Sequence, residues 1–291
     1  MKQSLEKTEL HSTIQWGLLH VGLIWIYSGT VDHYGHGWQQ LAQSPAAWYF
    51  LSGSGYVEAD GGPRVSARTG QWLIVKPVTR FQYFSPDAKI LSIRFRARWP
   101  DGEHLFFEGL SRCLDGKQYP KLLREALALK RAARRYTRNK FNNISLRDYP
   151  MSFDVFLGIE RQFLLWLEVL YRSLIAGGVK ANLFEVEDPR LRQAIGMLRG
   201  WPLNQEYRVE DVAKVAGIGA RQLERLFIQS LGVTSKKYME RRKYQFVQEN
   251  LEGDLMSVKE IAFQVGFKHV PSFCRWYRKY AGRSASKSTV Q

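Results

Sequence analysis

Cysteine is scarce in this chain, which has only Cys113 and Cys274 among its 291 residues. Two cysteines so far apart predict neither a disulfide framework nor a cysteine-rich metal cluster. Long apolar runs are missing too, because the best candidate, residues 162–176, is too short and contains Glu168 and Arg172. We therefore expect no transmembrane helix and no membrane partner. The polar residues after Met1 predict no secretory signal, which favours a cytoplasmic protein.

Negative charge is also in short supply. The chain has 27 Asp and Glu against 43 Lys and Arg, a net charge of +16. Such an excess favours a polyanionic partner, either nucleic acid or an acidic membrane surface. The excess lies in two segments: residues 188–291 have 19 basic and 10 acidic residues, and residues 121–150 have 9 and 2. The rest of the chain is balanced, so the position of the charge marks where a polyanion would bind.

Residues 13–98 have the pattern of short β-strands separated by turns. The turns are Gly53-Ser54-Gly55, Asp60-Gly61-Gly62-Pro63 and Ser85-Pro86-Asp87, and the predicted strands lie at 48–51, 56–59, 64–67, 72–75 and 90–95. This spacing predicts a small sandwich or barrel. A barrel of this size can enclose one small ligand.

Two helices are predicted next, over 121–140 and 152–175, and Gly177-Gly178 ends the second. The second helix is broadly apolar, which predicts packing on the sheet and a dimer interface. The first is basic, and three interpretations stay open: a solvated face, an accessory phosphate contact, or a surface for an acidic ligand or membrane. Its basic residues are Arg124, Lys130, Arg131, Arg134, Arg135, Arg138 and Lys140. Residues 179–187 are the predicted linker, and Asp188-Pro189 predicts the start of another helix.

The last hundred residues contain an internal repeat. Residues 209–218 (Val-Glu-Asp-Val-Ala-Lys-Val-Ala-Gly-Ile) recur 49 residues later as 258–267 (Val-Lys-Glu-Ile-Ala-Phe-Gln-Val-Gly-Phe). Another predicted helix follows each copy at an offset of 50, and the copies close on Gly232 and Gly282. Two copies in register, in the basic part of a basic chain, are far more specific than one.

Helix, glycine turn and helix is the helix-turn-helix pattern, whose second helix enters the major groove of DNA. Ala213 and Ala262 are small enough for a close approach of the next helix. Gly217 and Gly266 allow the left-handed backbone that a tight turn needs. The pattern predicts units at about 208–229 and 257–280.

The two units differ at their starts. Ser257 and Glu260 predict a capping box for the second unit, whereas Arg208 at the matching position of the first has no hydroxyl. Residues 234–251 predict one long helix between the units, about 25 Å in length at 1.5 Å per residue. A rigid connector of this length suits recognition helices in successive major grooves, about 34 Å apart.

Residues from about Asp188 to Ala285 resemble the DNA-binding domain of the AraC/XylS family of bacterial regulators. Gly219-Ala220 and Ser284-Ala285 stand where the family more often has Ser-Pro. The residues that carry the resemblance are Ala213, Gly217, Leu223, Arg225-Leu226-Phe227, Gly232, Tyr238, Arg242-Lys243, Ile261-Ala262, Val265-Gly266-Phe267, Phe273, Arg275 and Gly282.

The N-terminal part resembles the family's cupin-like sensor domain more loosely, through Gly53-Ser54-Gly55, Gly70-Gln71-Trp72-Leu73 and Lys76-Pro77. The resemblance implies an α+β chain of two domains. Residues 1–180 would be a cupin-like β-barrel (13–98) with a helical extension (120–178), for ligand sensing and dimerisation. Residues 188–291 would be an all-α tandem helix-turn-helix domain. The resemblance also implies a function: a homodimer that binds double-stranded DNA, responds to a small-molecule effector and contacts RNA polymerase.

Candidate DNA contacts are the residues of the second helix of each unit that the core does not need. Arginine can pair bidentately with guanine, and Glu224 could accept a hydrogen bond from cytosine. A phosphate contact, an ion pair or a solvated face is the alternative for each. The candidates are Ala220, Arg221, Gln222, Glu224 and Arg225, then His269, Val270, Ser272 and Arg275, with Arg278, Lys279, Lys236 and Lys237 for phosphates.

Candidate ligand contacts in the barrel are aromatic and histidine side chains, which suit a sugar ring although many such residues are core. The resemblance places Tyr83 at an aromatic position of the arabinose-responsive member, and Ser52 where that protein has a sugar-holding arginine. A sugar other than arabinose is therefore the favoured effector. The candidates are Trp25, Tyr27, His33, His36, Trp38 and Tyr83.

Neither a metal nor a cofactor is expected. His33 and His36 form a His-x-x-His pair, whereas metal-binding cupins use His-x-His with a later Glu and His. Two alternatives remain for the N-terminal half. It could be a protein-interaction domain without a small ligand, or a cupin-type enzyme fused to a DNA-binding domain. The enzyme needs a metal triad or an acid–base pair that the sequence does not show, so we expect no catalysis.

Overall fold

The computed structural model describes residues 13–31, 35–39, 44–59, 61–134, 146, 150–184, 186–252 and 256–281. The chain divides into two compact units. The first, called the sheet unit, contains Val21–Ala97 and Phe106–Asn182; the second, the helical unit, contains the described residues of Met1–His20, Arg98–Leu105 and Leu183–Gln291. The predicted two-domain α+β class is confirmed. The predicted linker contains the last junction, but two earlier segments also belong to the helical unit.

The sheet unit is built on two sheets. One has the strand order β1-β8-β3-β6-β9 and the other β2-β7-β4-β5. Among the described residues, strand pairing stays within each sheet, so the cupin-like part is an open sandwich and not a closed barrel. The strands are β1 His20–Thr30, β2 Gly37–Gln39, β3 Ala46–Ser52, β4 Ser54–Ala59, β5 Arg64–Arg68, β6 Gln71–Val75, β7 Arg80–Phe84, β8 Lys89–Arg98 and β9 Arg112–Asp115.

Strand alternation sorts the side chains of each sheet between two faces. On β3 and β7, Trp48, Phe50 and Phe84 face the interior, where they join one apolar core. Phe81 and Tyr83 alternate with these residues and lie on the opposite side of β7. The face of a strand residue therefore decides whether it can meet a molecule held between the sheets.

Helices α2 (Pro120–Ala133) and α3 (Phe153–Ala176) pack on each other in the sheet unit. The ring of Trp166 on α3 lies edge-on to Phe95 of β8, with centroids 5.3 Å apart, so α3 covers one face of the five-stranded sheet. The predicted packing of this helix on the sheet is thus observed. Of the predicted basic helix, residues 135–140 lie outside the described residues.

The helical unit has short helices around a long one. Its helices are α1 Thr13–Trp16, α4 Pro189–Gly200, α5 Val209–Val215, α6 Ala220–Leu231, α7 Ser235–Glu252, α8 Val258–Gln264 and α9 Val270–Ala281. Asp188 caps α4 by accepting a hydrogen bond from the backbone N–H of Arg190, as the sequence predicts. The predicted capping box of Ser257 and Glu260 at α8 is also present.

The two earlier segments of the helical unit pack on its later part. The guanidinium of Arg199, in the last turn of α4, donates to the carbonyls of Gly17 and Leu18, both at 2.9 Å. Trp99 stacks on Phe184 at 5.9 Å and lies 5.8 Å from Trp16. Residues distant in sequence thus complete this unit.

Candidate nucleic-acid interface

The two helix-turn-helix copies bury the same positions. In the first helix of each copy the buried pair is Val212-Ala213 or Ile261-Ala262. In the second helix, Leu223 and Phe227 of α6 correspond to Phe273 and Tyr277 of α9, 50 residues on. The sequence repeat is therefore a structural repeat, and each copy packs its second helix through equivalent side chains.

Both turns have the same backbone. Gly217 has φ +68° and Gly266 has φ +88°, in the left-handed region that favours glycine. The next N–H, of Ile218 or Phe267, donates back to the carbonyl of Ala213 or Ala262, at 3.0 and 2.9 Å. This hydrogen bond sets the angle at which each second helix leaves the first.

Helix α7 is fixed to the rest of the unit by Arg242. Its guanidinium donates to the carbonyls of Leu198, Arg199 and Trp201 at the end of α4. These are the acceptors that a helix C-terminus leaves unsatisfied, and a cation there also complements the helix dipole. On the same helix, Glu240 accepts from the indole N–H of Trp276 on α9 at 2.6 Å.

The exposed side of the second helices is basic. Arg221 and Arg225, one turn apart on α6, are exposed, and so are Arg275, Arg278 and Lys279 on α9. Arg225 and Arg275 occupy equivalent positions of the repeat. The other predicted contacts at this side are exposed or half-buried: Ala220, Gln222, His269, Val270 and Ser272.

The carboxylate of Glu224, which is predicted to accept a hydrogen bond from cytosine, already accepts hydrogen bonds within the helical unit. Its carboxylate accepts from the backbone N–H of Ser235 at 3.1 Å and from the Ser235 hydroxyl. Tyr207 also meets that hydroxyl, at 3.0 Å. Glu224 therefore caps the N-terminus of α7 from the neighbouring helix. Sequence reasoning missed Ser235, whose only signal is a serine at the start of a helix.

The two phosphate candidates on α7 have different surroundings. Lys236 is exposed. Lys237 donates to the hydroxyl of Tyr280 at 3.1 Å, and its ammonium lies 4.4 Å from the centroid of that ring. Lys236 is thus the more available of the two for a phosphate.

Three of the predicted ligand contacts meet on the outer face of the four-stranded sheet. Trp38 is 57% exposed and Tyr83 41% exposed. The ring of His36 lies 5.6 Å from that of Tyr83. Sequence reasoning missed two of their neighbours. Tyr56 stacks on Tyr83 and on Phe81, and the ring of Phe81 lies edge-on to Trp38. We call these five residues the outer aromatic face.

Tyr83 therefore does not line an enclosed pocket, and that part of the prediction is corrected. Strand alternation turns Arg80, Gln82 and Phe84 of β7 inward and Tyr83 outward. His33 lies outside the described residues. On β1, the Tyr27 hydroxyl donates to the Thr30 carbonyl, and the buried indole N–H of Trp25 has no hydrogen-bond partner within the described part of the chain.

The described residues contain no group of three or more His, Cys, Asp or Glu that could hold a metal ion. None of the described helices is both long and apolar enough to span a membrane.

Two helix-turn-helix units joined by one helix define a DNA-binding domain, and this part of the chain is similar to known proteins. Residues 212–288 match the family model described as a helix-turn-helix domain. The XylDLEGF operon transcriptional activator of Pseudomonas putida is 26% identical over 122 residues, which are 41% of this chain and 38% of that protein. The Msm operon regulatory protein of Streptococcus mutans is 31% identical over 80 residues, 28% of this chain and 29% of that protein.

The chain is also similar to solved structures. An AraC-type transcriptional regulator from Chromobacterium violaceum is 25% identical, with a TM-score of 0.32, and covers 35% of this chain and 96% of its own. ToxT from Vibrio cholerae is 11% identical, with a TM-score of 0.37, over 92% of this chain and 95% of its own. Residues 212–288 are therefore a helix-turn-helix domain, and this part of the chain is similar to regulators of transcription. The chain spans less than two-fifths of the length of the first curated relatives that it matches.

Proposed function

We propose that the chain is a sequence-specific transcription regulator whose second helices, α6 and α9, read two major grooves. The observation that carries the proposal is the repeat, which leaves arginine exposed at the same position of each copy, Arg225 and Arg275. Arginine pairs bidentately with guanine O6 and N7. Arg278, Lys279 and Lys236 would neutralise phosphates, which makes affinity fall steeply with salt.

Selection from random duplexes tests this proposal, and gel-shift titration of the selected site follows. We expect Arg225→Ala and Arg275→Ala each to weaken the selected site by about 10-fold or more, with a smaller effect on unrelated DNA. Arg172→Ala, an exposed arginine of the sheet unit, is the control and should bind as the parent does. Failure to enrich any sequence would contradict the proposal.

A small-molecule effector in the sheet unit is the second part of the proposal, with a sugar as the favoured class. The outer aromatic face supports it, because exposed rings offer flat apolar surfaces beside the polar rim of the ion pair Arg64–Glu58. A thermal-shift screen with mono- and disaccharides tests it, since a ligand of the native state raises the melting temperature. A sugar-induced rise in melting temperature that Tyr83→Ala abolishes would support this site. A rise that Tyr83→Ala leaves unchanged would show that the sugar binds at another site.

We also propose a homodimer through α3. Phe153 is 73% exposed, and Leu157 and Leu164 are nearly half exposed along the same helix. Such a stripe is typical of a contact surface. Light scattering should give a dimer for the parent and a monomer for Leu164→Glu, with Arg172→Glu as a control that stays dimeric. A monomeric parent would contradict this step.

The relatives are named as regulators of transcription, which supports binding and not catalysis as the role of this chain. An activator would also contact RNA polymerase. Transcription in vitro from a promoter that carries the selected site tests that contact, because stimulation by the protein requires it. A decrease of transcription would instead identify a repressor.

A further inference from the structure

The two helix-turn-helix copies bury equivalent side chains but differ in net charge. Residues 209–231, from the start of α5 to the end of α6, have three Lys or Arg and three Asp or Glu, so their net charge is zero. Residues 258–281, from the start of α8 to the end of α9, have five and one, a net charge of +4. The positive charge of the two copies therefore belongs to the second.

The difference in charge arises at exposed positions of the repeat. At three pairs of equivalent positions both residues are exposed and the second copy has the more positive one. The pairs are Glu210 and Lys259, Ile228 and Arg278, and Gln229 and Lys279. These three changes add up to the whole difference, because the remaining changes of charge between the copies cancel. The excess charge thus lies on the surface, where a polyanion can meet it.

The last turn of α9 gathers several cations. Arg278 and Lys279 lie in this turn. Beside them, the ammonium of Lys237 on α7 donates to the Tyr280 hydroxyl at 3.1 Å and lies 4.4 Å from the centroid of that ring. The second helix of this motif meets base edges with its first residues, so its last turn is better placed for the backbone of the DNA. The positive potential at this end of α9 favours phosphates.

The first turns of the two second helices differ in the opposite sense. Arg221 and Arg225 are the second and sixth residues of α6, and both are exposed. They lie one turn apart and therefore on the same side of the helix. The second residue of α9 is Pro271, so Arg275 alone corresponds to this pair. Since each arginine can pair bidentately with one guanine, the first copy has more groups for reading bases.

We propose that the two copies contribute differently to DNA binding. The second copy holds the chain on the phosphates of any duplex, and the first copy makes the larger part of the base selection through Arg221 and Arg225. The division rests on the proposed DNA binding. Phosphate neutralisation supplies nearly all of the affinity for unrelated DNA, so a first copy without net charge gains little there. It binds tightly only where its arginines meet guanines.

Two double variants, each lacking two exposed cations, test this division on the full chain. Arg278→Gln/Lys279→Gln changes the second copy, and Arg221→Gln/Arg225→Gln changes the first. Fluorescence anisotropy gives Kd for the selected site and for an unrelated duplex between about 50 and 200 mM KCl. The slope of log affinity against log salt concentration reports the number of phosphates neutralised, at about −0.9 for each.

The second-copy variant should reduce the magnitude of this slope by about 2 on both duplexes and leave the ratio of their affinities within about 3-fold. The first-copy variant should lower that ratio by about 10-fold or more, and should change the slope on the unrelated duplex by less than about 1. Arg172→Gln/Lys180→Gln removes two exposed cations of the sheet unit. It is the matched control and should change neither quantity.

A variant with added charge gives the reciprocal test. Ile228→Arg/Gln229→Lys places the cations of the second copy at the equivalent positions of the first, and should steepen the slope on the unrelated duplex. An unchanged slope there would contradict a role of these positions in holding phosphates.

Equal changes of slope in the first-copy and second-copy variants on the unrelated duplex, or equal losses of the affinity ratio, would overturn the division. If no sequence is enriched from random duplexes, the proposed function itself fails. If a site is enriched and the two variants behave alike, the chain still reads DNA, and only the division between its copies is wrong.

Discussion

Glu224 illustrates, at the scale of one residue, how neighbours decide what a side chain does. It lies on α6 one residue before Arg225, yet its carboxylate accepts both hydrogen-bond donors of the buried Ser235. The backbone N–H of Ser235 lies at the start of α7, where donors lack intrahelical partners. Glu224 therefore links the first helix-turn-helix unit to the connector helix, whereas Arg225 next to it is exposed.

Glu224→Ala should destabilise the helical unit by about 1–2 kcal/mol, because a helix cap and a partly buried hydrogen bond are lost together. Urea unfolding of the parent and the variant measures this. Arg225→Ala is the matched control: it should change stability by less than about 0.5 kcal/mol while weakening the selected DNA site. A Glu224 variant of unchanged stability that loses base preference would restore base readout as its role.

His104 should make stability depend on pH. Burial, together with the charge of the neighbouring Arg98, lowers the pKa of its imidazole to about 3. In the unfolded chain His104 takes up a proton near pH 6.5. The stability of the folded chain is therefore unaffected by this group above that pH, and it decreases as the pH falls from 6.5 towards 3. The melting temperature should fall less between pH 7.5 and pH 5 for His104→Gln than for the parent. The amide oxygen of the glutamine can still accept a hydrogen bond from Arg98. Equal decreases would exclude this origin.

The two turns offer a test at the scale of structural elements. Gly217→Ala should lower the free energy of unfolding by about 1 kcal/mol, because alanine disfavours the left-handed backbone. No further cost is expected, since nothing lies within 4 Å of the added Cβ. Alanine at Gly266 should cost more, because its Cβ would lie 3.2 Å from the backbone Cα and oxygen of Asn204. Denaturant unfolding of both variants gives the comparison. Equal costs would show that the Asn204 loop yields to the extra carbon.

At this scale the sequence predicts the helical unit better than the sheet unit. The helix-turn-helix helices follow from a local repeat, and α7 was expected over 234–251 and spans Ser235–Glu252. The strands depend on partners far along the chain, and β1, β2, β7 and β9 are not among the strands that the sequence predicts. The role of Glu224 depends on where Ser235 is folded, and the outward side of Tyr83 depends on the register of β7. Neither is a local property of the sequence.

The whole molecule is not two domains on a single linker, because the chain passes between its units four times. Residues 183–291 alone would lose the contacts of Trp99 with Phe184 and of Arg199 with Gly17 and Leu18. We therefore expect that fragment to unfold at a lower urea concentration than the same helices do in the full chain.

A variant in both contexts is the control for this comparison. In the full chain, Arg199→Ala should lower the free energy of unfolding by about 1 kcal/mol, because two hydrogen bonds are lost. In the fragment the same substitution should have a much smaller effect, because the acceptors of these hydrogen bonds are absent. Tryptophan fluorescence and helical circular dichroism follow the unfolding. A fragment as stable as the full chain, or an equal cost in both, would show that residues 13–20 and 98–105 contribute nothing to the helical unit.

The fourfold crossing also affects how such genes can recombine. A single genetic crossover at the 182/183 junction would join the N-terminal half of a relative to α4–α9. The chimera would then contain the residues that the relative has in place of Trp16 and Trp99. The resulting chimera would keep Arg225 and Arg275, but its helical unit would be packed with mismatched side chains. Exchange of halves between relatives would then require these two short segments to be inherited together with the DNA-binding end, although they are encoded within the other half of the gene.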